Sequence, residues 1–410
     1  MNILFCTLLY PPETLSQVSA ASKAGLQNQI NNFQWALIDG IQEACPDKNE
    51  QLEIVNSLPV GIFPVHYRHV WLPQRSRGHF TELGSINLPW LKQHMRQKRA
   101  ERVLRRWLQQ HPSNRHILVY SLYLPYMKAV AKLKKEFPTL KATIIITDLP
   151  NELGISSGRK HFLKWLEYRM GAQKIALCSK FDGCILLTAQ MAEALPNDNK
   201  AKMVLEGLTA PPKADSSSIS EATPKTPGAV NSLQSPMVLY TGTINRELGI
   251  GELLDAFRVM PDCQLILCGK GDMEDEAVQA AAQCANIHYL GFVSQAEALA
   301  LQQQADMLIN PRSEKNLFTR YSFPSKTLEY MRSGKPTLCY PLSGIPNEYN
   351  PYLFYITKEG ASGITEAVQA VLNMPPVKRE QLGQAAKHFA EMEKGHQRQS
   401  QRVVDFLRNL

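Results

Sequence analysis

The feature that most restricts the fold is an alternation of short apolar runs with helix-length stretches, met twice along the chain. Apolar runs at 3–9, 52–55, 116–120, 142–147, 185–188 and 203–206 read as strands, with helices at 33–43, over a basic stretch near 92–106, and at 124–136. A loop-rich stretch carrying Pro64 and Pro73 interrupts them. That rhythm predicts a parallel sheet flanked by helices. Residues 210–237 then turn rich in Pro, Ser and Ala and poor in large apolar side chains, which predicts a linker. After it the rhythm restarts, with strands at 238–241, 264–268, 287–290 and 307–310 and helices at 252–260 and 296–304. The expected fold is therefore α/β with two Rossmann-like parallel-sheet domains, 1–209 and 238–384, followed by a terminal helical stretch whose last part, 385–410, has apolar residues for docking. That stretch either crosses back to the first domain or packs on its own.

In parallel sheets ligands sit beyond the carboxyl ends of the strands. The residues there are Tyr10, Tyr120, Ser121, Asp148, Thr188, Glu206 and Gly207 in the first half. Asp148 follows the strand Ile144-Ile145-Ile146 and is either a site carboxylate or a cap. The densest chemistry lies at 305–338. A buried strand ends at Asn310-Pro311, a polar loop carries Arg312 and Tyr321, and Pro324-Ser325-Lys326 opens a helix that stops at Gly334. Backbone N–H groups at that helix start, the Ser325 hydroxyl, Lys326 and Arg312 make a diphosphate cradle. Glu329 shares their face, where a carboxylate takes two ribose hydroxyls. The plainer alternative is that Ser325 caps the helix and Lys326 with Glu329 forms a solvated pair.

Several chemistries are excluded by motif. The first strand leads to Tyr10-Pro11-Pro12 rather than a glycine-rich dinucleotide turn, and the chain has no Walker lysine loop, no G-x-S-x-G, no H-E-x-x-H and no D-x-D. No cofactor or metal is therefore expected, and a diphosphate leaving group would be neutralised by Arg246, Arg312, Lys326 and helix N–H groups. The eight cysteines lack metal spacing and read as reduced thiols of a cytoplasmic protein. No signal peptide or membrane span is legible. The net charge of +8 is concentrated near tryptophans, at 92–107 and 159–165. Such helices either rest on an anionic membrane or turn their Leu and Trp inward. Nucleic acid is not an expected partner.

Asn310-Pro311-Arg312, Tyr321 to Lys326, Leu328 to Met331 and Ser333 to Pro336 resemble the donor-binding segment of retaining glycosyltransferases of family four, which have the GT-B fold. The closest likeness is to the bacterial capsule and exopolysaccharide branch. The resemblance implies that Glu329 contacts the nucleotide ribose, and that Tyr321 stands where a sugar-facing glutamate is usual. Gly242, Thr243, Asn245 and Arg246 resemble the family's first glycine loop, with Arg246 as the nearby cation; the Gly269-Lys270-Gly271-Asp272 turn follows, and the segment ending at Val293 resembles the one that reads the base. Asp148 corresponds to the aspartate of an acceptor-side His-Asp pair, with Thr147 in place of the histidine. The implied activity is transfer from a nucleotide-sugar donor, a UDP-sugar, to a glycan or lipid-linked acceptor with retention, by a protein peripheral to the membrane. A GT-B-like epimerase and a non-catalytic sugar-nucleotide-binding subunit are the alternatives.

Overall fold

The computed structural model describes residues 1–23, 25–45, 51–150, 161–196, 200–209, 235–315 and 317–410. They form two compact units, Met1–Leu208 with His396–Leu410, and Thr209–Gly395.

In the first unit the chain runs through β1 (Asn2–Thr7), α1 (Leu15–Ala21), α2 (Asn28–Ala44), β2 (Leu52–Asn56), β3 (Trp71–Leu72), β4 (Arg75–Arg77), β5 (Phe80–Glu82) and β6 (Ser85–Ile86). It continues as α3 (Leu91–Gln110), β7 (Arg115–Tyr120), α4 (Leu124–Glu136), β8 (Lys141–Ile146), α5 (His161–Cys178), β9 (Gly183–Leu186) and β10 (Ala201–Val204). Eight strands form one sheet in the order β10-β9-β8-β7-β1-β2-β5-β4. Its pairings are parallel except for β4 against β5. The central strands are apolar on both faces because helices cover both, as parallel sheets require. The stretch around Pro64 and Pro73, read as loop, in fact contains β3 to β6; strands of two or three residues are too short to show a period.

The basic helix corrects a second expectation. Lys92 and Arg96 of α3 are buried. Arg96 donates to the Leu58 carbonyl at 2.8 Å and the Tyr123 hydroxyl at 3.0 Å, and Lys92 donates to the Val60 carbonyl. Burial lowers the Lys92 ammonium to about 7. Trp107 is also buried, its indole donating to Glu53 at 2.8 Å, while Trp90 is 72% exposed. For most of α3, then, the inward-facing reading holds. On α5, Trp165 and Tyr168 are exposed and the Arg169 guanidinium lies 4.9 Å from the Trp165 ring; Arg159 and Lys160 lie outside the described residues.

The second unit contains β11 (Met237–Thr241), α6 (Ile250–Arg258), β12 (Gln264–Cys268), α7 (Glu274–Gln283), β13 (Ile287–Tyr289), α8 (Gln295–Gln304), β14 (Met307–Asn310), α9 (Leu317–Arg320), α10 (Ser325–Arg332), β15 (Thr337–Cys339), β16 (Phe354–Tyr355), α11 (Gly360–Leu372) and α12 (Pro376–Met392). Its six strands are parallel, in the order β13-β12-β11-β14-β15-β16. The chain moves outward from β11 through β13, then returns to the other side of β11 with β14. This reversal leaves a crevice at the carboxyl ends of β11 and β14. Met237, read as the last linker residue, already belongs to β11; residues 210–234 lie outside the description.

The terminal stretch is two helices rather than one, because the chain breaks at Glu393–Gly395 between α12 and α13 (His396–Arg408). α13 belongs to the first unit. There Val403, Val404 and Leu407 share an apolar core with Leu37, Ile38 and Ile41 of α2. At about 1.5–3 kcal/mol for each large apolar side chain buried, that seam contributes several kcal/mol to the first unit. Among the described residues no helix is long and apolar enough to cross a membrane.

Candidate active site

Three backbone segments close on one another at the reversal point of the second sheet. The Gly242 N–H donates to the Cys268 carbonyl at 2.9 Å, and the Gly269 N–H to the Gly291 carbonyl at 2.7 Å. Gly269 has φ +143°, and a Cβ there would run into the Gly242 carbonyl. Gly249 has φ +84°, and its Cβ would meet the Pro311 carbonyl. Only glycine lets the loops after β11, β12 and β14 approach this closely.

α10 is fixed to these loops by its buried side. The Tyr330 hydroxyl accepts from the Thr241 N–H at 2.8 Å and donates to the Thr241 carbonyl at 3.0 Å. Asn310 donates to the Thr327 hydroxyl at 3.2 Å, tying the end of β14 to the same helix. The helix therefore cannot shift without breaking contacts to both strands. Its N-cap is Pro324, with no side-chain cap, and Ser325 is the exposed first residue. The capping reading of Ser325 is thus not what the structure has; a proline before it supplies no hydroxyl to the first-turn N–H groups.

Lys326 and Glu329 do pair, with the ammonium 3.0 Å from both carboxylate oxygens. The pair is not a plain solvated one. Gln302 of α8, 1% exposed, donates to Glu329 Oε1 at 2.8 Å, so the carboxylate is held from the protein side as well. Arg312 lies behind them, half-buried, donating to the Ser322 hydroxyl, and burial lowers its guanidinium to about 10 with the nearby Tyr240 opposing. A cation removed from water interacts strongly with a phosphate that is removed from water alongside it.

The other sequence candidates are placed as follows. The Thr243 carbonyl accepts from the Tyr240 hydroxyl at 2.8 Å. Asn245 Oδ1 accepts from the Asp272 N–H at 3.1 Å. Arg246 turns to Glu276 at 2.9 Å with its side chain 68% exposed. Val293 is partly buried and precedes Ser294, which makes a capping box with Glu297 on α8. Tyr321 is partly buried, with the Arg320 guanidinium 5.8 Å from its ring. The structure thus ties Gly242 to Gly269, Asn310 to Thr327 of α10, Arg312 to Ser322 and Lys326 to Glu329, all at or next to the carboxyl ends of β11, β12 and β14, with Arg246 directed to Glu276. Asp148 lies in the first unit, exposed, two residues past β8. Among the described residues no group of His, Cys, Asp and Glu could hold a metal ion.

Gln302 and Tyr330 did not stand out in the sequence. Each acts on a partner 27 to 89 residues away, Gln302 on Glu329 and Tyr330 on Thr241. The one local signal was that Tyr330 follows Glu329 on the helix and so faces inward where Glu329 faces out.

Residues 226–389 match the model of the family "Glycosyl transferases group 1". No curated protein matches in sequence. Among solved structures, sucrose-phosphate synthase from Thermosynechococcus elongatus superposes with a TM-score of 0.63 at 15% identity, covering 100% of this chain and 98% of that one. The trehalose-6-phosphate synthase OtsA superposes with a TM-score of 0.66 at 10% identity, covering 100% and 99%. A trehalose-6-phosphate structure from E. coli with bound UDP-2-fluoro glucose gives 0.65 at 10% identity, with the same coverage. The fold is GT-B, with two Rossmann-like α/β domains. With the family match on the second unit, it supports a glycosyltransferase.

Proposed function

We propose that the protein transfers a sugar from a nucleotide-sugar, a UDP-sugar, to a hydroxyl of a glycan or lipid-linked acceptor with retention of configuration. The observation that carries this reading is the crevice at β11 and β14, where glycine loops, the start of α10, Arg312, Lys326 and a doubly held Glu329 converge. In this reading the α10 N–H groups, Lys326 and Arg312 take the diphosphate, and Glu329 takes the ribose. As the sugar–phosphate bond breaks, negative charge grows on the leaving diphosphate, and those groups stabilise it without a metal. Arg246 joins them on leaving Glu276. Asp148 and Tyr321 face acceptor and donor sugar. Solved relatives in fold include one with bound UDP-2-fluoro glucose and one described in a study of glycosyltransfer with retention, which supports the donor and the stereochemistry.

Release of the nucleoside diphosphate, UDP or GDP, should be measured across UDP- and GDP-sugars, with and without lipid-linked acceptor, in EDTA. Acceptor-dependent release of UDP that survives EDTA is expected. Epimerised donor without an acceptor would favour the epimerase, and binding without turnover a non-catalytic subunit. We further infer that Trp165, Tyr168 and Arg169 of α5 rest on an anionic leaflet, since aromatic and cationic side chains are exposed there together. Co-sedimentation with anionic but not neutral vesicles is the expected outcome; equal binding to both rejects the contact.

A further inference from the structure

A cavity of about 300 Å³ opens in the first unit beside α2, over the edge formed by β2, β5 and β4. Its floor follows from strand register. Ile54 pairs with Phe80, which pairs with Arg77, and Asn56 pairs with Glu82, which pairs with Arg75. Directly paired residues of neighbouring strands face the same side, so these two rows point together toward α2. In most parallel sheets a helix would follow β2 and cover them. Here the chain enters the short strands β3 to β6 instead, and α2 reaches only far enough to bring Trp35 over the near side. The Trp35 and Phe80 rings lie 6.4 Å apart and within 9° of parallel.

Glu82 is the informative residue. It is 5% exposed, lines the cavity, and makes no hydrogen bond or ion pair among the described residues. Burial raises its pKa, opposed by Arg75, Arg96 and Arg77, in that order, while Glu13 adds to the rise. Arg75 and Arg77 likewise make no hydrogen bond or ion pair among the described residues. A largely buried carboxylate without a protein partner turns its acceptor oxygens to whatever fills the cavity, and a purely structural position would be better filled by an apolar side chain. Glu13 and Asp39 line the cavity too, Asp39 on α2, while Arg75 and Arg77 stand together on β4. Aromatic faces, carboxylate acceptors and a wall with two arginines are together the complement of a sugar ring whose one anionic group is taken at β4. The ring's C–H face lies on Trp35 or Phe80, its hydroxyls donate to Glu82, and its anion meets the arginines.

We propose that this cavity binds a single pyranose carrying a phosphate or carboxylate group. Its volume stands at the lower end of the range for small-molecule sites, which suits one ring rather than a nucleotide-sugar. The site is separate from Asp148. β8 and β2 are three strand spacings apart, roughly 14 Å, and β5 lies one spacing further. It also stands independently of the donor reading, which concerns the second unit.

Calorimetric titration of the full chain with glucose 6-phosphate, glucuronate, glucose and inorganic phosphate tests it. Binding of at least one of the two anionic sugars is expected, with neutral glucose and inorganic phosphate each weaker by about tenfold or more. Which anionic sugar binds tighter separates phosphate from carboxylate recognition. The double variant Arg75→Ala/Arg77→Ala, on exposed positions, should weaken that binding by at least about tenfold and leave UDP affinity unchanged. Glu82→Gln should weaken the sugar while leaving inorganic phosphate unaffected. The proposal is overturned if neither anionic sugar binds at millimolar concentration, if inorganic phosphate or glucose alone binds as well, or if the double variant binds like the parent.

Discussion

The strand ends of the two units are secured by different sets of contacts. In the first, side chains plug them: Asn56 Oδ1 accepts from the Thr7 hydroxyl at 3.1 Å and the Leu9 N–H at 2.7 Å, and the Tyr126 hydroxyl donates to the Val55 carbonyl at 2.9 Å. In the second, the Tyr330 hydroxyl holds the end of β11 from a side chain as well, and glycine backbones also meet directly, Gly269 on Gly242 and Gly249 on Pro311. Side-chain plugs satisfy the freed backbone groups and use up the space. Glycine contacts hold the loops together without side-chain volume of their own. The contrast teaches that the second unit secures its loops by backbone approach in addition to side-chain anchors, where the first relies on side chains. The cations differ too. Buried Lys92 and Arg96 are turned to carbonyls that they satisfy, whereas the partly exposed Lys326 faces the Glu329 carboxylate.

The sharpest way to break the comparison is Gly269→Ala. A methyl group facing the Gly242 carbonyl, at φ +143°, should cost roughly 3–5 kcal/mol and abolish UDP binding. Calorimetric unfolding together with UDP titration reads both losses; a variant that melts and binds like the parent would show the close approach to be dispensable. Asn56→Ala should cost about 2–3 kcal/mol by leaving the Leu9 N–H and Thr7 hydroxyl buried without their acceptor, with UDP affinity intact. If it lost UDP binding instead, the two units' strand ends would not differ in kind. The smallest effects belong to the charged residues. Lys326→Ala and Arg312→Ala should each weaken UDP by about ten- to a hundredfold and uridine little, whereas Glu329→Ala should weaken both alike. Unchanged affinities with lowered melting temperatures would make Lys326 and Glu329 a helix-stabilising pair only.

The parallel α/β frame was legible because apolar runs such as 144–146 and 264–268 are buried on both faces and need no partner to be recognised. So was the compact segment from Asn310 to Glu329, whose residue types sit close in sequence. What escaped was set by distant partners. The burial of Lys92 and Arg96 was not legible because helical periodicity counts a cation as polar, and only the distant carbonyls of Val60 and Leu58 make that burial tolerable. The break before α13 was hidden because residues 393–395 interrupt a stretch that remains helical on both sides. The Arg246 pairing with Glu276, thirty residues on, was likewise invisible from its loop alone.

The composition of the first unit has a consequence for synthesis. Its α2 face, Leu37, Ile38 and Ile41, is covered by a helix encoded after the whole of Thr209–Gly395. At roughly 5–20 residues per second, a ribosome leaves that face without its partner for on the order of ten to forty seconds. The second unit, whose residues are contiguous, is complete when Gly395 emerges, directly before the helix that covers the α2 face. The first unit therefore cannot close its apolar core until the second has been made.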